Sequence, residues 1–194
     1  MRVHRAFAFV DLSGFTSFTD ANGDEQAGRV LTEFRAVVRE VSSDRGVRVA
    51  KWQGDGAMFV SVEPTPIVEA VLEIEERVDH SSPLRLRGGI TIGDVILFEG
   101  DDYIGSSVNL AARLCDGAAP HEILASVELE PYLPDWACAE PAGPVEVRGF
   151  AHAIPVLRLH RAGRVDPANP ADAVDAANAT DAANADQPKL ASGT

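Results

Sequence analysis

Six side chains in this sequence have the types and spacings to act on an anionic ligand: Asp11, Lys51, Asp55, Asp102, Asn109 and Arg113. Asp11 closes the apolar run AFAFV and is followed at once by the turn sequence SGFT. A carboxylate at the end of a buried strand is costly unless a cation neutralises it, so Asp11 raises the question of a metal. Capping the next helix is the plainer role open to it. Asp55 lies in the Gly-Asp-Gly of KWQGDGA, with Lys51 just ahead of it. Two acids at the ends of neighbouring core strands can hold two divalent ions, which clamp the attacking and leaving oxygens of a phosphoryl transfer. Asn109 and Arg113 are four apart on one helix and project from the same face. An amide beside a guanidinium suits a phosphorylated ligand, with the arginine stabilising an anionic transition state. A surface polar couple has the same spacing.

The elements that must position these groups follow from periodicity. A buried strand delivers Asp11, and Gly14 lets the chain turn. The polar stretch TDANGDEQ reads as a connection. Ala27, Val30, Leu31, Phe34, Val37, Val38 and Val41 then recur at helical spacing up to Arg45-Gly46. Strands at Val47–Ala50 and Met58–Val62 are predicted to form a hairpin across the Gly-Asp-Gly turn. Thr65-Pro66 supplies an N-cap and first residue for a helix with Ile67, Val68, Val71, Leu72 and Val78 inward. Leu84–Ile92 reads as a strand interrupted at Gly88-Gly89, with Val95–Phe98 pairing back on it. Ser106 or Ser107 is expected to cap the helix VNLAARLC, which ends at Gly117. Shorter strands are expected at 123–125, 145–147 and 154–159, with a helical turn at 127–132. This alternation predicts an α+β sandwich around a largely antiparallel sheet.

Composition bounds the partners. The 194 residues are 45% hydrophobic and 24% charged, which suits one domain, expected at 1–160, with a core of its own. From about Arg161 the sequence is dominated by Ala, Asp, Asn and Pro, so 161–194 is expected to be a disordered acidic tail. A net charge of −13 argues against a nucleic-acid partner, although divalent ions would still let the surface accept a nucleotide. No apolar run approaches the roughly 20 residues that span a bilayer. The first strand begins too early to leave room for a signal peptide. Cys115 and Cys138 lack disulfide density or metal-site spacing. A cytoplasmic protein with no membrane partner is therefore expected.

Four segments in order, FVDLSGFT, KWQGD, RGGITIGDV and GSSVNLAARL, resemble the catalytic domain of the class III nucleotide cyclases, in a compact bacterial form. VRGF near residue 150 resembles that family's closing segment. The resemblance covers roughly residues 6–160. It implies a ferredoxin-like, palm-type β-α-β-β-α-β core. It also implies two divalent ions, Mg²⁺ or Mn²⁺, on Asp11 and Asp55 with the carbonyl of Leu12. Lys51 and Asp102 fall where adenylate cyclases keep their base-reading pair, and Phe15 and Thr16 fall beside the substrate. Asn109 matches the residue that orients the ribose, and Arg113 the one that stabilises the transition state. The implied reaction is attack of the ribose 3′-hydroxyl on the α-phosphate, giving a 3′,5′-cyclic nucleotide and pyrophosphate. Head-to-tail homodimers are implied, with metal ligands from one chain and base and ribose contacts from the other.

Base choice can be argued from hydrogen bonding. Adenine offers N1 as acceptor and N6 as donor, while a lysine only donates and a carboxylate only accepts. Lys51 and Asp102 therefore complement adenine, and the expected activity is adenylate cyclase acting on ATP. A catalytically silent nucleotide-binding or dimerisation module is the alternative from another class, and guanylate cyclase the alternative within the enzymes. The match departs from the family at Phe150, where some members have a lysine, which leaves Arg148 as a weak candidate for the terminal phosphates. No regulatory domain is expected ahead of the first motif.

Overall fold

A computed structural model describes residues 1–163 apart from 148 and 151. Arg148 and the expected tail beyond residue 163 lie outside the described residues. Met1–Arg161 forms one compact unit. It is built from β1 (Arg2–Ser13), α1 (Phe15–Asn22), α2 (Asp24–Asp44), β2 (Arg48–Gln53), β3 (Gly56–Ser61), α3 (Pro64–Ser81) and β4 (Arg85–Phe98). These are followed by β5 (Asp102–Ile104), α4 (Ser106–Gly117), β6 (Ile123–Ser126), a 3-10 turn (Val127–Tyr132), β7 (Ala137–Val145) and β8 (Ile154–Arg161).

The strands form one sheet in the order β2-β3-β1-β4-β6-β8-β7, with β5 pairing to β4. Only β4 and β6 run parallel among the described pairs. The first part, β1 through β4, has the β-α-β-β-α-β connectivity and the sheet order of the ferredoxin-like core. The expected α+β sandwich is what the chain adopts.

Strand parity sorts the central strand β1. Ala6, Ala8, Val10 and Leu12 point to the face covered by α2 and α3, where they join Phe34, Val38, Ile67 and Ile74 in the main core. Phe7 and Phe9 point to the other face and pack with Val108, Ala111 and Cys115 of α4. Asp11 continues the odd series, so the acid emerges on the α4 side. α4 can lie this close because Gly89 has no side chain: a Cβ there would collide with the Ala111 carbonyl and the Cys115 amide nitrogen.

Several elements differ from the sequence reading. The stretch read as a polar connection is helical on both sides of Gly23: its first half ends α1, which opens at Gly14 in the left-handed region (φ 79°), and Asp24–Gln26 begin α2. α1 carries no fully buried residue, so no apolar stripe marks it. The hairpin strands run up to a two-residue loop, Gly54-Asp55. Gly54 has φ 61°, which a tight hairpin turn demands of its first loop residue. α3 starts earlier, at Pro64 after Glu63, and the Thr65 hydroxyl instead donates to the Tyr132 carbonyl. β4 runs unbroken through Gly88-Gly89, and its end pairs with β5. Gly105, not a serine, occupies the N-cap of α4. The strand expected at 145–147 lies earlier, as β7 (Ala137–Val145), which tolerates Pro141 and Pro144 because it is the edge strand.

Candidate active site

The sheet topology brings the separated motifs to one end of one face. Asp11 lies two residues before the end of β1, and the neighbouring β3 begins at Gly56, the Cα partner of Asp11. The turn before Gly56 carries Asp55. The Leu12 amide donates to the Asp55 carbonyl at 3.4 Å. Because N–H and C=O of one strand residue point to the same side in an antiparallel ladder, the Leu12 carbonyl faces the same turn. Its side chain is buried in the opposite core, so only this backbone oxygen is available as a ligand.

On the other side of β1, β4 places Arg87 directly across from Asp11. Arg87 donates to Asp11 Oδ2 through Nη2 at 2.7 Å and Nε at 3.1 Å. This hydrogen bond, opposed by burial and assisted by the carboxylate charge, holds the guanidinium above its ordinary pKa. Arg87 is the neighbour that sequence reasoning missed. It lies inside the quoted RGGITIGDV, but only the register across β1 and β4 reveals its partner.

Burial pushes the Asp55 carboxyl above its usual range, and the nearby Asp11 charge adds to this; a backbone hydrogen bond and Arg87 oppose it. Two acids with one arginine between them leave negative charge incompletely compensated. Hard oxygen donors in that state fit a divalent cation of the Mg²⁺ or Mn²⁺ type.

A pocket of about 440 Å³ lies between these strand ends and α4. Asp11, Lys51, Gln53, Asp102, Asn109 and Asp116 contribute its polar lining. Lys51 and Asp102, 51 residues apart in sequence, form an ion pair at 2.7 Å. The Lys51 hydrogen bond, the Tyr103 amide and the Lys51 charge hold Asp102 below the ordinary carboxylate value. Each side chain is about half exposed, 47% and 49%, so the pair opens to a ligand at little cost. Cys115 also lines the pocket. Burial, reinforced by Asp11, pushes its thiol up to about 12, so it remains a protonated, non-nucleophilic wall.

The structure does not gather every expected residue into that pocket. Arg113 lies outside its lining, half exposed, with Nη1 3.3 Å from Asp116. Asp55 sits just beyond, in the turn. Phe15 and Thr16 begin α1, where Phe15 packs against the α2/α3 core and Thr16 is exposed. Among the described residues, Glu75, Asp79 and His121 also come within 4.8 Å of one another. α3 carries the two acids on the sheet face away from the pocket, so this group is separate from the expected metal ligands.

No family model matches the chain. An uncharacterized protein of Mycobacterium tuberculosis is 41% identical over 170 residues, covering 84% of this chain and 44% of that protein. A pH-sensitive adenylate cyclase of Mycobacterium tuberculosis is 31% identical over 160 residues, 79% of this chain and 40% of its own length. The chain thus spans less than half the length of these relatives. Among solved structures, the adenylyl cyclase CyaB from P. aeruginosa superposes with a TM-score of 0.75 at 23% identity, covering 84% of this chain and 97% of that one. The guanylate cyclase domain of RhGC from Catenaria anguillulae, in complex with GTP, gives 0.73 at 17% identity, covering 83% and 98%. The fold is that of a nucleotide cyclase catalytic domain. Its structural neighbours are adenylyl and guanylyl cyclase catalytic domains, and its sequence homologues include proteins named adenylate cyclase. Among the described residues no helix is long and apolar enough to cross a membrane.

Proposed function

We propose that this chain is a cytoplasmic adenylate cyclase catalytic domain that converts ATP to 3′,5′-cyclic AMP and pyrophosphate at sites shared between two copies. The observation that carries this reading is the Lys51–Asp102 pair lining the same pocket as Asp11. The pair presents one donor and one acceptor, the complement of adenine N1 and N6. Relatives that bear the name adenylate cyclase support the same choice.

In this reading Lys51 and Asp102 exchange their mutual bond for bonds to the base. Asn109 steadies the ribose, and the first backbone amides of α1, at Phe15 and Thr16, face the phosphates. Asp11, Asp55 and the Leu12 carbonyl would hold the divalent ions. Once bound, two such ions supply Lewis-acid stabilisation of the attacking and leaving oxygens. With Asp11 engaged by a cation, Arg87, which otherwise bonds Asp11 Oδ2, would be available to the anionic phosphates. Arg113, outside its own chain's pocket and half exposed, serves the transition state of the partner's site. The 3′-hydroxyl gives up its proton to solvent, its oxygen bonds to the α-phosphorus, and the bond from that phosphorus to the pyrophosphate oxygen breaks.

Incubation of the purified protein with ATP or GTP and Mn²⁺ or Mg²⁺, with the products identified by chromatography, tests this. Cyclic AMP from ATP is expected. Cyclic GMP from GTP as the only cyclic product would move the reading to guanylate cyclase, and nucleotide binding without turnover would make the chain a silent module.

A further inference from the structure

The face of the β2–β3 hairpin opposite the pocket is gripped by α2. β2 alternates, so Lys51 and Gln53 line the pocket while Trp52 between them packs toward the α2/α3 core. There the indole meets two arginines one helical turn apart on α2. The Arg35 guanidinium carbon lies 5.0 Å from the ring and that of Arg39 5.3 Å. Arg35 reaches further, and its Nη2 donates to the Gly54 carbonyl at 3.0 Å. Gly54 is the residue before Asp55 and the sharpest point of the turn, at φ 61°. On the β1 side, the turn's backbone bond is the longer 3.4 Å contact from the Leu12 amide to the Asp55 carbonyl. A two-residue loop with an acid at its tip needs a rigid anchor if that acid is to meet Asp11 at a fixed separation.

We infer that Arg35 is a positioning residue for the metal site: by holding the Gly54 carbonyl and stacking on Trp52, it fixes the turn that presents Asp55 beside Asp11. Arg35 touches neither substrate nor metal and acts through the backbone of the turn. The inference rests on the proposed role of Asp11 and Asp55 as metal ligands and adds an outer support to it. Outer supports of this kind typically govern metal affinity by roughly 10–100-fold.

The test is equilibrium titration of the full chain with Mn²⁺, followed by the electron paramagnetic resonance signal of free Mn²⁺, alongside melting curves. Wild type, Arg35→Met, Arg35→Lys, Asp55→Asn and the distant control Arg29→Ala are compared. Arg35→Met keeps an apolar stem on Trp52 but loses the bond to the turn. It should bind Mn²⁺ roughly tenfold more weakly, while its melting temperature stays near wild type. Turnover at saturating Mn²⁺ should recover to within about twofold, because the acid itself is still present. Arg29→Ala should match wild type. Wild-type Mn²⁺ affinity in folded Arg35→Met overturns the inference. If that variant does not fold, Arg35→Lys, which keeps charge and stem but not the planar fork, decides the matter. Weaker Mn²⁺ binding by it supports the inference and unchanged affinity overturns it. Asp55→Asn distinguishes the underlying reading: if it binds Mn²⁺ as wild type does, the two-acid site fails, and the inference fails with it.

Discussion

Asp11 and Arg87 face one another across β1 and β4, and the guanidinium holds a single carboxylate oxygen, Oδ2, through two of its nitrogens. The other oxygen, Oδ1, lies on the hairpin side, against Gly56. The acid is thus braced from one strand and open toward the turn that carries Asp55.

Removing either acid should therefore disable the site without unfolding the sheet. Asp11→Ala and Asp55→Ala are each expected to lower cyclase turnover by more than the roughly 100-fold that loss of an outer support can cause. Far-UV circular dichroism should stay unchanged. Near-normal turnover by either variant at saturating Mn²⁺ would sink the two-acid assignment.

Asp55 also gives a pH dependence with a definite sign. Its carboxyl is held above 3.8, first by burial and then by the Asp11 charge. The folded chain therefore binds this proton more tightly than the unfolded chain. The stability it adds is complete below 3.8 and is lost as pH rises through the folded value. At pH 7 the ionised acid is a cost to the metal-free protein. Asp55→Asn should raise the metal-free melting temperature at pH 7, and the gain should shrink toward zero as pH falls below 3.8. Each kcal/mol would register as about 2–4 °C in a domain of this size. Absence of any gain at pH 7 would show that the acid is not strained.

Base choice can be reversed at two positions. Lys51→Glu and Asp102→Cys should each cut activity on ATP severely, because an adenine edge then meets an unmatched group. Discrimination approaches about 10⁴ only where the pair is fully covered, so the loss should be larger in the dimer than a half-exposed pair alone would produce. Rates measured on ATP and GTP side by side provide the check; single variants with wild-type rate and preference would remove the base-reading role.

Much of this was legible in the chain, and the misses have local causes. Asp11 could be placed because an apolar run ends on it. Asn109 and Arg113 share a helical spacing, but that spacing did not reveal that only Asn109 lines the pocket while Arg113 pairs with Asp116 outside it. Arg87 gave no such signal: its meaning is a register across 76 residues of sequence. Gly88-Gly89 was misleading, since glycines within a strand read as a break. Here they permit contact with Ile123 on one side and with the backbone of α4 on the other. α1 escaped notice because nothing in it is fully buried.

Gly89 supplies a prediction of its own. A methyl group at that position has no free volume and meets helix backbone, which cannot rotate away. Gly89→Ala should cost about 1–3 kcal/mol or more through overpacking and lift α4 away from β4. The readouts are a lower melting temperature and a weaker apparent affinity for nucleotide, since Asn109 rides on that helix. An unchanged melting temperature would mean that α4 is not docked as described.

Site sharing is tested by mixing two inactive proteins. If Asp11 serves one chain's metals and Arg113 the other chain's transition state, an Asp11→Ala/Arg113→Ala heterodimer has one doubly damaged and one intact site. Random exchange puts about half the dimers in that state, so activity should return to roughly a quarter of wild type. Mass spectrometry of a tagged mixture checks that subunits exchange. Exchange without recovery would mean that each site takes both residues from the same chain.

The alternation along β1 behaves like a reading frame. Deleting one residue between Ala6 and Val10 would act on the sheet as a frameshift acts on a gene: every side chain beyond the lesion would be displayed on the wrong surface. Asp11 would be driven among the apolar side chains under α2 and α3, and Leu12 would face the pocket. The strand cannot absorb the error by sliding, because it is registered to β3 along one edge and to β4 along the other. Length changes should therefore fall in turns such as 99–101, and β1 of any relative should align with this one without a gap.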